Sequence, residues 1–130
     1  MDEPPEPLEL VFVYGTLKRG QVNHHCLAAA RWLGEAELPG LVLHDLGPFP
    51  MAVPGDGCIQ GELYAVDTAA LERLDHLEGC PRLYRRQRLP LGDGRQAWVY
   101  LGRPRQVRHS PVLADGVWRG RRPAADRSRT

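Results

Sequence analysis

The sequence predicts an α+β domain, a small and strongly curved mixed sheet or partly closed β-barrel with flanking helices. Three observations predict it. Short apolar runs rich in β-branched and aromatic residues outnumber the helical patterns, about six strands against two helices. The two kinds do not alternate regularly, which argues against a doubly wound parallel sheet, and no internal repeat is present. At 130 residues the chain is long enough to close one hydrophobic core without metal or disulfide help, so one folded unit is expected.

Taken in order, "LELVFVY" (8–14) has few polar interruptions and reads as a central strand covered on both faces. "HHCLAAARWLG" places Leu27, Ala30 and Leu33 at helical spacing, with Asn23 as N-cap and Gly34 as the C-terminal stop. "LPGLVLHDL" and "PMAVPG" read as short strands parted by a proline-broken loop. "PGDG" at 54–57 is expected to turn the chain into "CIQGELYAV", where Ile59, Leu63 and Ala65 alternate with Gln60, Glu62 and Tyr64. Asp67 or Thr68 then caps a helix over "AALERLDHLEG", ended by Gly79. "LYRRQRLPL" and "RQAWVYLG" flank "GDG" as a hairpin, and Trp118 is expected to pack back onto the domain. The resulting organisation is an acidic, proline-rich tail over 1–9, a domain over 10–118 and a basic tail over 119–130.

Composition narrows the function classes. Lys and Arg number 17 against 16 Asp and Glu, so a net charge of +1 gives no general attraction to nucleic acid or anionic lipid, and the arginine-rich end reads as a solvated tail. No signal-peptide pattern or membrane-length apolar run is present, which predicts a soluble, cytoplasmic chain. Cys26, Cys58 and Cys80 are irregularly spaced without a C-x-x-C, which argues against a disulfide framework and a structural zinc site. His24 and His25 are adjacent and point different ways; His44, His76 and His109 lack ligand spacing. No metal site is expected. Oligomeric state is not legible.

One carboxylate is out of place. On a helix advancing about 100° per residue, with Leu71 at zero, Leu74 falls at about 300°, Leu77 at about 240° and Glu78 at about 340°. Glu78 therefore lies between two core leucines, away from the solvated face of Glu72, Arg73 and His76. It also occupies the last helical turn, whose unpaired carbonyls disfavour negative charge. Burial and the helix end together raise its pKa, as a general acid and base near neutrality requires. The plainer reading is a frayed end in water, or an acid satisfied by Arg82, Arg85 or Arg86. Asp75, at about 40° on the same wheel, is a weaker rival. Glu62 is a second-choice base whose alternation turns it toward solvent or a cavity.

The turn Tyr14-Gly15-Thr16-Leu17 leaves the first strand and must expose backbone amides, with Gly15 free to take positive φ. A nest of N–H groups there suits an anion or a developing oxyanion; the plainer reading is an ordinary strand-to-loop turn. A phosphate loop is excluded, because "GTLKRG" is followed by Gln21-Val22 rather than lysine and a hydroxyl residue.

"VFVYGTLKRGQVNH" and "GELYAVD…LERLDHLEGCPRLYRR", in that order and separation, closely resemble the two motifs of the γ-glutamylcyclotransferase-like (AIG2-like) family. The likeness extends over residues 10 to 102 and is nearest the branch acting on γ-glutamyl amines and a γ-glutamyl aminoglycoside. It implies a small mixed barrel with flanking helices and no cofactor. It further implies a substrate cavity formed by Tyr14, Gly15, Thr16 and Leu17, and a catalytic glutamate at Glu78. The implied reaction is intramolecular aminolysis of a small γ-glutamyl compound, releasing 5-oxoproline and an amine. Two rivals remain at this point. Cys80 could act as the nucleophile of an amidohydrolase, though no histidine is placed to activate it. The chain could also keep the cavity and only bind a small amino-acid derivative. No motif after residue 102 bears on selectivity, and the leaving amine is not legible.

Overall fold

The computed structural model describes residues 8–121. Five strands form one mixed sheet in the order β2-β3-β1-β5-β4. They are β1 (Glu9–Val13), β2 (Arg31–Asp45), β3 (Pro50–Val66), β4 (Arg85–Pro90) and β5 (Gln96–Leu101), with helices α1 (Thr68–Leu77) and α2 (Pro104–Val107). β1 is central as its composition predicts, antiparallel to β3 and parallel to β5. Val11, Phe12 and Val13 are all buried, because both faces of this strand are covered. One face, with Val11 and Val13, meets Leu71 and Leu74 of α1; the other, with Phe12, packs Leu38, Leu41, Ile59, Leu63 and Trp118 inside the curve. The curvature is strong enough that Gly92, in the β4–β5 turn, donates its N–H to the Glu37 carbonyl of the far edge strand at 3.1 Å.

The structure corrects two local expectations. The stretch after Asn23 forms only a single 3-10 turn over His24–Leu27, and from Arg31 the chain pairs with β3. Asn23 makes no side-chain cap bond; its amide donates instead to the Thr16 hydroxyl at 3.0 Å. Helical spacing loses here to long-range pairing, with Trp32 packed edge-on against Tyr64 at 5.5 Å. Second, "PGDG" makes no turn. "PMAVPG" and "CIQGELYAV" fuse into the single strand β3, so the strands number five rather than six among the described residues. Pro54, which cannot donate to a ladder, lies beside a register shift between Pro39 and Leu41, where β2 is already irregular. The chain reverses instead at residues 46–49, where the Leu46 N–H donates to the Phe49 carbonyl at 3.0 Å.

The remaining elements follow their local signals. Asp67 caps α1 by accepting from the Ala70 N–H at 2.7 Å, and Gly79 ends it at φ +66°. β4 and β5 form the expected hairpin, and Trp118 is buried. Of the two tails, residues 1–7 and 122–130 lie outside the described residues; Glu9 already belongs to β1. Among the described residues no helix is long and apolar enough to cross a membrane.

Candidate active site

The end of β1 and the end of α1 meet across a cavity of ≈ 240 Å³. That is below the roughly 300–1,000 Å³ of pockets for drug-sized ligands, and suits an amino-acid-sized molecule. Tyr14, Gly15, Thr16 and Leu17 line it together with Glu78, Phe49, Pro50 and Tyr84. The structure thus brings the predicted turn and the predicted acid to one place.

Glu78 sits at the C-cap of α1, its N–H donating to the Leu74 carbonyl at 2.9 Å. Leu71 and Leu74, its neighbours on the helical wheel, are 4 % and 1 % exposed, so the carboxyl is drawn toward the interior beside them. Its pKa rises from 4.5 to about 7, and burial alone is the cause. None of Arg82, Arg85 or Arg86 forms an ion pair with it among the described residues. Arg86 is engaged elsewhere, with Asp75 at 3.1 Å.

The turn that shares the cavity is held by its own carbonyls. Lys18 N–H donates to Gly15 O at 3.0 Å, and Asn23 N–H to Thr16 O at 2.8 Å. The N–H groups of Gly15, Thr16 and Leu17 donate to nothing among the described residues, and all three residues line the cavity. Gly15 is needed for a different reason from the one its position suggests. Its φ is not positive; a Cβ there would lie 2.7 Å from Pro50 Cγ, inside contact distance. Close approach of the Pro50 ring, not a left-handed turn, demands the glycine.

Three tyrosines border the cavity with their hydroxyls already committed. The Tyr14 hydroxyl donates to the Tyr100 carbonyl and accepts from the Ala52 N–H at 3.1 Å. That of Tyr84 donates to the Pro50 carbonyl at 2.7 Å, and that of Tyr100 to Asp75 at 2.8 Å. Burial pushes all three well above the ordinary phenol range, so they remain protonated. Their rings shape the cavity while their oxygens brace the frame.

The rival groups lie elsewhere. Glu62 is only 8 % exposed, contrary to the expectation that it faces solvent or a cavity. It accepts from the Arg19 N–H at 2.9 Å and the Tyr64 hydroxyl at 3.0 Å, which leaves it poorly placed to act as a base. Asp75 is spent on Tyr100 and Arg86. Burial, then Asp75 and Glu78, push the Cys80 thiol up to about 11, the opposite of an activated nucleophile. Sequence reading passed over Tyr84, Phe49 and Pro50 as site residues. Only Tyr84, inside the second motif, carried a signal that could have found it.

The family model described as "Gamma-glutamyl cyclotransferase, AIG2-like" matches residues 11–120, extending past residue 102, where the likeness read from the sequence ends. A gamma-glutamylcyclotransferase family protein of Escherichia coli is 37% identical over 108 residues, spanning 83% of this chain and 94% of its own. The gamma-glutamylaminecyclotransferase of Rattus norvegicus is 41% identical over 113 residues, spanning 69% and 75%. The crystal structure of an AIG2-like protein from Mus musculus superposes with a TM-score of 0.72 at 32% identity, covering 86% of this chain and 88% of that one.

Proposed function

Because the chain belongs to the gamma-glutamyl cyclotransferase, AIG2-like family, we propose that it releases 5-oxoproline and a free amine from a γ-glutamyl amine or γ-glutamyl amino acid. One observation carries this reading. A single carboxyl, lifted to about 7 by burial, lines an amino-acid-sized cavity together with a turn whose backbone amides are uncommitted.

The substrate brings its own nucleophile. Its α-amine attacks its γ-carbonyl carbon, a C–N bond closes the five-membered lactam, and the C–N bond to the leaving amine breaks. Attacker and target share one molecule, so effective molarity is high and proton transfer becomes the obstacle. The α-amine is mostly ammonium at neutral pH, with a pKa of about 8 or higher, and is not nucleophilic in that form. Ionised Glu78 takes one ammonium proton before attack and hands it to the departing nitrogen. The second proton, lost by the new lactam nitrogen, leaves with the amine as its ammonium ion. Glu78 ends as it began. A carboxyl near 7 gives and takes at working pH with little penalty either way.

Tyr14, Gly15, Thr16 and Leu17 hold the γ-glutamyl half. The N–H groups of Gly15, Thr16 and Leu17 suit a carboxylate or the oxyanion of the tetrahedral intermediate, and the tyrosine rings exclude water. The test is Glu78→Gln, which keeps size and polarity and removes the proton carrier. Mass-spectrometric assay over a panel of γ-glutamyl amides is expected to show folded variant with turnover reduced roughly 10²-fold or more. Near wild-type release of 5-oxoproline from that variant rules the mechanism out.

A further inference from the structure

The candidate turn is anchored from behind by a side chain outside the cavity. Glu62 pairs across the ladder with Val13, the residue that precedes Tyr14. From there its Oε1 accepts the Arg19 N–H at 2.9 Å and the Tyr64 hydroxyl at 3.0 Å. Its other oxygen lies 3.6 Å from Arg19 Nε. The Arg19 guanidinium in turn covers the Trp32 ring at 3.8 Å, and Trp32 packs edge-on against Tyr64. Next along the chain, Lys18 Nζ donates to the Trp118 carbonyl at 2.7 Å.

Residues 18 and 19 are therefore drawn away from the cavity while residues 15 to 17 border it. A chain of five residues held at its far end in this way has little freedom to turn its amides. A buried carboxylate is costly unless its hydrogen bonds are made, so the Glu62 arrangement is strongly preferred over any in which Arg19 lets go. Tyr64 keeps its proton, since burial and Glu62 itself push it far above the ordinary phenol range, and so it remains a donor.

We infer that Glu62 is a positioning residue for the substrate site: by accepting the Arg19 amide it sets the direction of the Gly15, Thr16 and Leu17 amides. This rests on the proposed use of those amides to bind substrate, taken here as a hold on its carboxylate rather than on the oxyanion. Glu62 touches no reacting atom, so its loss weakens binding and leaves the proton transfer at Glu78 alone.

Steady-state release of 5-oxoproline from a γ-glutamyl alkylamide tests this in the full chain. Glu62→Ala is expected to raise KM about tenfold, the scale of one charge-assisted hydrogen bond, with kcat within about threefold and the acid limb of the pH profile unmoved. Glu62→Gln keeps an acceptor and is expected to restore KM to within about threefold of wild type. Tyr64→Phe leaves the turn untouched but loosens the carboxylate; it is expected to raise KM about threefold, and it serves where the alanine variant fails to fold. A wild-type KM in folded Glu62→Ala or in Tyr64→Phe, or no rescue by glutamine, overturns the assignment. Amide resonances separate this from failure of the functional reading. If the wild type releases no 5-oxoproline, the function is refuted, while the 15N–1H signals of Gly15, Thr16 and Leu17 still report on positioning. They are expected to move in Glu62→Ala and hold in Glu62→Gln; unmoved signals in the alanine variant refute it.

Discussion

Glu78→Gln is expected to make the protein more stable, by an amount that grows with pH. In the folded chain the Glu78 carboxyl titrates at about 7 rather than 4.5, so between those values the native state holds a proton that the unfolded state has lost. Stability rises with pH where the unfolded state binds more protons, so here the sign is reversed and stability falls as pH climbs. The favourable contribution is complete below about 4.5 and is gone once pH passes about 7. Each factor of ten in proton affinity corresponds to about 1.4 kcal/mol, so the ionised folded enzyme carries a penalty of at most about 3 kcal/mol. Glu78 is half-buried and opens on the cavity, and water there reduces the penalty to between about 1 and 3 kcal/mol. Glutamine removes the charge without abandoning a partner, because burial alone perturbs this carboxyl. Urea unfolding of both proteins from about pH 4.5 to about pH 8.5, followed by tryptophan fluorescence, reads the difference directly. Other titrating groups cancel in that difference. The two curves are expected to converge at the acid end and separate toward neutrality, with the variant the more stable. A separation that does not change with pH, or a variant less stable at about pH 8, refutes the claim that Glu78 is held ionised at a cost.

Turnover should follow the same proton. In wild type, kcat/KM is expected to rise about tenfold per pH unit on the acid side and level off near 7, where Glu78 becomes ionised; a profile flat between about pH 5 and 8 contradicts a tuned carboxylate. Gly15→Ala puts a Cβ 2.7 Å from Pro50 Cγ, and is expected to cost about 1–3 kcal/mol on chemical denaturation and to raise KM as the turn shifts. Tyr84→Phe strips the Pro50 carbonyl of its 2.7 Å donor and is expected to cost about 1–3 kcal/mol in the same measurement. Cys80→Ala is expected to retain turnover, since its thiol is pushed up to about 11 and is not an activated nucleophile; loss of activity in the folded variant restores the cysteine alternative.

Much of the site was legible because its signals are short-ranged. Asp67 at one end of a helix and Gly79 at the other delimit α1, and the spacing of Leu71 and Leu74 within it marks Glu78 as an acid on an apolar stripe. The apolar run of β1 likewise announces a strand covered on both faces, and the turn that follows it must shed its ladder. Each inference needs only residues within two helical turns or one strand of each other.

What the tertiary structure decided depends on partners far away in the chain. Residues 31–34 carry a helical pattern but pair with β3, some thirty residues on, because Trp32 finds Tyr64 there. Pro54 looks like a turn residue until a bulge in β2 supplies the one place in a strand where a missing N–H costs little. Gly15 looks chosen for its backbone freedom, whereas Pro50 across the fold forbids a side chain. Glu62 reads as an exposed or catalytic acid until Arg19 and Tyr64 occupy its oxygens. Periodicity and caps are written into neighbouring residues, so the sequence by itself determines which groups are available; which of them meet is a matter of long-range packing, where hydrogen bonds and volume are satisfied only once the sheet has curled.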